Sequence, residues 1–507
     1  INKIDARGSA YLKASGRAEA TAPSMDFFFA EANQLERAVG TGGSRVTWLG
    51  DPPAREVTGD RVEIDMQPSE QGSEMRHARV DGQAVVTFAA PAPTQQKPNP
   101  AARELRADHV RLDMLPGGQF AKKTEAEGNA VLTVTPVKAE ADADRTRITA
   151  PRMRLAFHDA GNLAREFAAE GGVRVDLEPL AGGRAPRTTT SASARADFER
   201  ESQDVTRVEQ TGNFKYVEGE RNGTSERAVF TRADDTVILR GQSSEGRPTV
   251  WDSSARTQAD EIDIRSSAQT NHARGDVRTT YYSPASTGKS VPFGNTRSPV
   301  FLTADRLDTR QADGGVAVYT GAARAWQEDN YVKAGTIRLF DTAKRMEAEG
   351  SVESGLYRMA RKNEDGKTDV VPVFTTAERM RYSDTERTLH YEGSVTSRQA
   401  PDVLASGTQD VWLTEGDGGT IDRMVAEENV LLTEPGRKAA GKRLVYTAVD
   451  QKCVLTGNNA RVEDDAQGTS TGAELTFHIG GDRIRSVGQG AGRVKTTHRI
   501  RGGRESQ

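Results

Sequence analysis

The pentapeptide Gly468-Thr469-Ser470-Thr471-Gly472 has the G-x-S-x-G spacing of a nucleophile elbow, in which a strained strand-to-helix turn presents a serine Oγ to a base. Here the acidic run Glu463-Asp464-Asp465 precedes it and the alternation Ala473-Glu474-Leu475-Thr476-Phe477 follows, so the next element is predicted to be a strand. The pentapeptide is therefore predicted to be a polar turn between strands, and no catalytic residue is assigned. The seven histidines, His77, His109, His158, His272, His390, His478 and His498, are at least 20 residues apart, so none has a local zinc-ligand spacing and no metal is expected. Gly488-Gln489-Gly490-Ala491-Gly492 has the glycine content of a dinucleotide fingerprint without its spacing or its helix, and no cofactor is expected. Acids are plentiful, as in Glu140-Ala141-Asp142-Ala143-Asp144, but nothing marks a general acid-base pair.

Arg483, Arg485, Arg493, Lys495, Arg499, Arg501 and Arg504 crowd one stretch, with only Asp482 and Glu505 as acids at its flanks. It reads first as a solvated tail. Its functional alternative is contact of Arg483, Arg485, Arg493 and Lys495 with the phosphates of a lipid headgroup or with an acidic partner edge. Phe27, Phe28 and Phe29 form an aromatic triplet, and alternation must turn at least one of them away from the others' packing surface. Cys453 stands alone, so no internal disulfide forms and the redox compartment stays open.

The elements that would position such residues are short and many. Hydrophobic residues make up 35% and aromatics 6% of the 507 residues, with 49 Gly, which opposes one large core and favours turns. A near-balance of 69 basic and 73 acidic residues opposes disorder. The net charge of -4 supplies no global field for a polyanion, so nucleic acid is not an expected partner. No stretch approaches the ~20 apolar residues of a membrane helix. Ile1 opens the chain with no signal-like segment, which is compatible with an upstream inner-membrane anchor or signal outside this chain.

The recurrent unit is a small residue with Asp or Glu opening an alternating strand, a polar turn, then a Gly predicted to start a second strand. Ala377-Glu378-Arg379-Met380-Arg381-Tyr382 leads through Ser383-Asp384-Thr385 to Thr388-Leu389-His390-Tyr391-Glu392-Gly393-Ser394-Val395. Gly128, Gly172, Gly212, Gly275, Gly321 and Gly350 are expected at equivalent strand starts. Pro- or Ser-rich stretches at 90–102, 181–196 and 283–299 read as loops or joints, giving modules 1–90, 103–282 and 300–497. Strands with one apolar face must bury it against another sheet or by curling. The expected fold is all-β: an elongated open β-jelly roll or twisted two-sheet β-solenoid with an apolar groove and no significant helix.

Between Thr376 and Val462 the pieces A-E-R-M-R-Y, H-Y-E-G-S-V, A-E-E-N-V-L-L, A-A-G-K-R-L-V-Y and V-L-T-G-N-N-A-R-V follow in order. Together they resemble the OstA-like family of lipopolysaccharide transport, the periplasmic domains of LptA, LptC and LptD. The chain is far longer than the simple bridge proteins, and the 1–90 module is read as LptC-like and membrane-side. The resemblance implies an oily interior between facing sheets in the periplasm of a diderm bacterium, holding the acyl chains of lipopolysaccharide or a related glycolipid. It also implies pairing with other Lpt-type envelope proteins by edge strands, or head-to-tail self-association. It implies a transport bridge rather than an enzyme, driven by another protein, since no nucleotide motif stands in this sequence.

From the apolar parity of each strand, the groove is predicted to be lined by Met380, Tyr382, Leu389, Tyr391, Val411, Leu413, Val430, Leu432, Leu444, Tyr446, Leu455, Val462, Leu475 and Phe477. A structural or adhesive β-solenoid with a filled core would show the same periodicity. A carbohydrate-active solenoid would need clustered carboxylates on one outer face.

Overall fold

The computed structural model describes residues 2–14, 18–31, 34–48, 55–69, 72–95, 99–160, 162–241, 246–265, 267–282, 298–357, 359–362, 368–414, 420–479, 483–487 and 495–497. The fold is all-β, with no α-helix among the described residues. It divides into two compact units, Ile1–Asp252 with Asp263–Ser267, and Ser253–Ile262 with Ala268–Gln507.

In the first unit the strands follow one another as an antiparallel meander. Lys3–Ala14, Ala18–Phe29, Leu35–Trp48, Arg55–Ser69, Gly72–Phe88 and Ala101–Met114 each pair with the next. Ala121–Pro136, Asp144–Phe157, Ala164–Pro179, Arg187–Phe198, Val205–Glu218 and Arg221–Thr231 continue the ladder. In the second unit Thr270–Tyr281, Val300–Arg310, Val316–Gln327, Asn330–Phe340, Arg345–Leu356 and Val373–Ser383 pair in turn. Thr388–Gln399, Asp402–Leu413, Ile421–Glu434, Arg437–Thr447, Lys452–Asp464 and Gly468–His478 follow in the same way.

These strands share a break near the middle. Ala101–Met114 shifts register against its successor between Arg106 and His109, and Thr388–Gln399 does so between Glu392 and Val395. At the break two successive residues take left-handed backbone angles, as in Gly128 (φ 77°) with Asn129 (49°) and Gly321 (85°) with Ala322 (44°). Such a bulge bends its strand. Repeated at one level across consecutive strands, it folds each ladder along a line, so that every strand gives one arm to each of two facing layers.

This arrangement corrects the sequence reading of the glycines. Gly128, Gly172, Gly212, Gly275, Gly321, Gly350 and Gly393 lie inside strands, at or beside the bend, and do not start them. The small-plus-acid pair is the other half of the corner: Asp108 covers Gly128 and Asp305 covers Gly321, so tightly that an added Cβ would come within 2.8 Å of the aspartate Cβ. Asn129 Nδ2 donates to Asp108 Oδ2 at 2.9 Å, tying the two sides together. A second correction concerns Gly468-Thr469-Ser470-Thr471-Gly472. The turn ends at Gln467, and these residues are strand, with Ser470 opposite Val462 on one side and Thr496 on the other.

Candidate functional site

Register decides which side chains share a face. In the second unit one arm carries the row Met380, Tyr391, Gln409, Ala426, Leu444, Leu455 and Leu475, each opposite the next. Beside it runs Tyr382, Leu389, Val411, Met424, Tyr446, Cys453 and Phe477. The facing arm supplies Thr375, Ser397, Leu404, Leu432, Ala439, Val462 and Ser470. Of the predicted lining residues, Met380, Tyr382, Leu389, Tyr391, Val411, Val430, Leu432, Leu444, Leu455, Val462, Leu475 and Phe477 are buried. Leu413 and Tyr446 are half-buried. Cys453 is buried in this interior, and burial pushes its thiol well above the ordinary value.

Sequence reasoning missed a polar belt across this interior. Ser354 Oγ and Tyr391 OH lie 2.9 Å apart, Thr375 Oγ1 and Ser397 Oγ also 2.9 Å, and Ser397 Oγ donates to Gln409 Oε1 at 2.5 Å. Ser354 and Ser397 stand on one arm while Tyr391 and Gln409 stand on the other, so two of these bonds stitch the layers together. Tyr281 OH and Tyr319 OH meet at 3.1 Å in the same unit. Burial pushes the Tyr391 phenol up to about 12, which keeps it a neutral hydroxyl. Beyond the belt an apolar cluster runs from Leu404 through Leu432, Leu444, Leu455 and Val462 to Phe477. The buried, ion-paired Arg437 and Glu434 lie at the same parity beside it, with Asp464, which also pairs with Arg437. Serine and threonine at inward parity were the available signal, but apolar periodicity passes over them.

The first unit has an interior of its own, built from smaller residues. Leu12, Ala20, Val46, Val57, Val86, Leu105, Leu132, Ile148 and Val175 form one inward row. Met25, Gly40, Val62, Val80, Val110, Ala126, Met153 and Ala169 form a row on the facing arm. A cavity of about 30 Å³ opens between them, lined by Leu12, Ala20 and Val46 from one side and by Met25, Phe27, Ala38, Val62 and Ile64 from the other. That is room for no more than a few waters. The phenylalanine triplet divides as alternation requires. Phe27 lines the cavity, while Phe28 turns outward beneath the Lys3 ammonium and the Arg37 guanidinium, 5.4 and 4.4 Å from its ring centre.

At the outer end of one arm the inward row reads Trp48, Arg55, Phe88, Arg103 and Val134. Arg55 has the parity of buried Val57, and Arg103 that of buried Leu105. Burial lowers the pKa of both guanidiniums. Of the basic residues singled out near the C-terminus, Arg483, Arg485 and Lys495 are exposed, and Arg493 lies outside the described residues.

Four histidines sit opposite an aspartate on the neighbouring strand. Nδ1 lies 2.7 Å from Oδ1 in His77–Asp113, 2.8 Å in His109–Asp81, 2.6 Å in His272–Asp308 and 2.7 Å in His390–Asp410. These are cross-strand pairs on the outer faces. Among the described residues no three His, Cys, Asp or Glu converge as metal ligands.

Residues 374–482 match the family model described as LptA/(LptD N-terminal domain) LPS transport protein. No curated protein matches the chain. Among solved structures, the chain is similar to LptH from Pseudomonas aeruginosa, described as the LptA homologous periplasmic component of the conserved lipopolysaccharide transport device. The identity is 14% and the TM-score 0.23, over 26% of this chain and 96% of that one.

Proposed function

We propose that this chain binds lipopolysaccharide or a related glycolipid in the periplasm of a diderm bacterium and hands it along a bridge between the inner and outer membranes. The acyl chains lie between the facing arms and the sugar head stays outside. The observation that carries the reading is a coincidence. The stretch that matches the transport family, 374–482, holds the apolar interior from Leu404 to Phe477. Burial is worth about 0.8 kcal/mol per methylene, so one deep pocket would hold a many-chained lipid almost irreversibly. Successive rows of similar inward residues offer instead a series of exchanges, each burial replacing another. Other Lpt-type envelope proteins, or further copies of this chain, would continue the row by pairing at an open strand edge. Lys3–Ala14 is such an edge, paired with Ala18–Phe29 on one side only among the described residues.

A second reading, a structural solenoid with a filled core, draws on the polar belt and the small cavity. Photo-crosslinking separates the two. Crosslinkers at Tyr446 and Phe477 should capture glycolipid, whereas those at Val445 and Thr476, of opposite parity, should not. Equal labelling at both parities, or none at either, would favour the filled core.

A further inference from the structure

We propose that Arg55 and Arg103 form a binding site for the phosphate of an amphiphile whose acyl chains occupy the first unit's interior. The proposal rests on the glycolipid reading and names the part of the ligand that this rim recognises. Arg55 is opposite Phe88, and Phe88 is opposite Arg103, so the two guanidiniums stem from alternate strands, about 10 Å apart along the sheet, with an aromatic ring between them. Both point to the side of the ladder that buries Val57, Val86 and Leu105. Arg55 borders Trp48, two residues beyond the cavity-lining Val46.

Neither guanidinium has a carboxylate partner among the described residues, and water is partly withdrawn from both. The same inward row shows what a structural arginine looks like. Arg187 is ion-paired with Asp144, which also takes Arg184 at 2.6 Å. A charge moved toward an apolar interior without a partner is destabilising, so a bound anion is the natural complement. The planar fork of arginine suits the oxygens of a phosphate, and its position at the mouth of the arms suits a phosphate attached to buried chains.

The test is binding of lipid A, and of the same lipid after enzymatic dephosphorylation, to the full chain and to R55Q/R103Q. The full chain should prefer the phosphorylated lipid by about tenfold at low ionic strength, as expected for charge-assisted contacts. R55Q/R103Q should bind both forms equally, at the strength the unaltered chain shows for the dephosphorylated one, and R55K/R103K, which keeps the charge but not the planar fork, should restore only part of the preference. Without lipid, R55Q/R103Q should melt at the same temperature as the unaltered chain or higher. A preference that survives in R55Q/R103Q, a lower melting temperature, or inorganic phosphate bound as tightly as lipid A would overturn the site. If neither lipid binds the unaltered chain, the glycolipid reading itself has failed. If both bind equally well, only the phosphate site has.

Discussion

Asp113 shows how a single side chain on these outer faces contributes. Burial alone would push its carboxyl up, but hydrogen bonds from Arg111 Nε at 2.9 Å and with His77 Nδ1 at 2.7 Å outweigh this and hold it below the ordinary 3.8. A carboxyl depressed on folding stabilises the fold above its unfolded value, and that stability is lost as pH falls through the folded value. Stability should therefore decline with acid below about pH 4, and Asp113→Asn should flatten part of that decline without changing stability near pH 7 by more than a surface pair is worth, about 0–1 kcal/mol. Urea melts at pH 3 and pH 7 measure the difference. An unchanged slope would mean that the pair is not made in solution. Asp113 stands 36 positions from His77, and their pairing depends on a register that no local sequence pattern contains.

The corner is where reading by elements both succeeded and failed. Alternation located the strands, because period-two burial is written directly into runs such as Leu389, Tyr391 and Val395. It misplaced their ends, because Gly with Asn or Ser marks a chain reversal and a mid-strand bulge with the same residues. What separates the two is the small-plus-acid pair on the preceding strand, which must cover the glycine. Gly321 tests this pairing: φ is 85°, and a Cβ there would meet the Asp305 Cβ at 2.8 Å. Gly321→Ala should cost about 1–3 kcal/mol, of which about 1–2 comes from the left-handed backbone and the rest from crowding. Asp305→Ala in the same chain removes the carboxylate but keeps the Cβ, so it should recover only the part of the crowding that the carboxylate causes. Full recovery in the double variant, read by thermal or urea melts, would show that backbone strain is not part of the cost.

For the molecule as a whole, the apolar interior was legible in the second unit, where inward residues are large. It was not legible in the first, where alanine and valine do the lining and periodicity is faint. Rim charges such as Arg55 were invisible for the same reason: an arginine at apolar parity reads as an interruption. Edge pairing can be examined at Tyr11 and Leu12. Successive N–H groups in a strand point to opposite sides, so proline at one of these positions breaks the pairing with Ala18–Phe29, and at the other blocks only an outside strand. Whichever proline variant keeps the melting temperature should lose association and transfer between inner- and outer-membrane vesicles. Undiminished transfer in that variant would rule out this edge as a docking strand.

The meander also bears on how such a chain can be made. Most strands bond to their immediate neighbours in sequence, the exceptions skipping only one or two short strands, and no described pairing requires the first strand of a unit to meet its last. Contacts that local favour rapid, stepwise assembly, as in other repeat architectures. A chain emerging during its synthesis can therefore lay down Lys3–Ala14, Ala18–Phe29 and the strands after them while the remainder is still being made. Each new strand covers the open edge of the one before it, so the unpaired backbone of the growing first ladder stays confined to its two outermost strands, Lys3–Ala14 and the newest one formed.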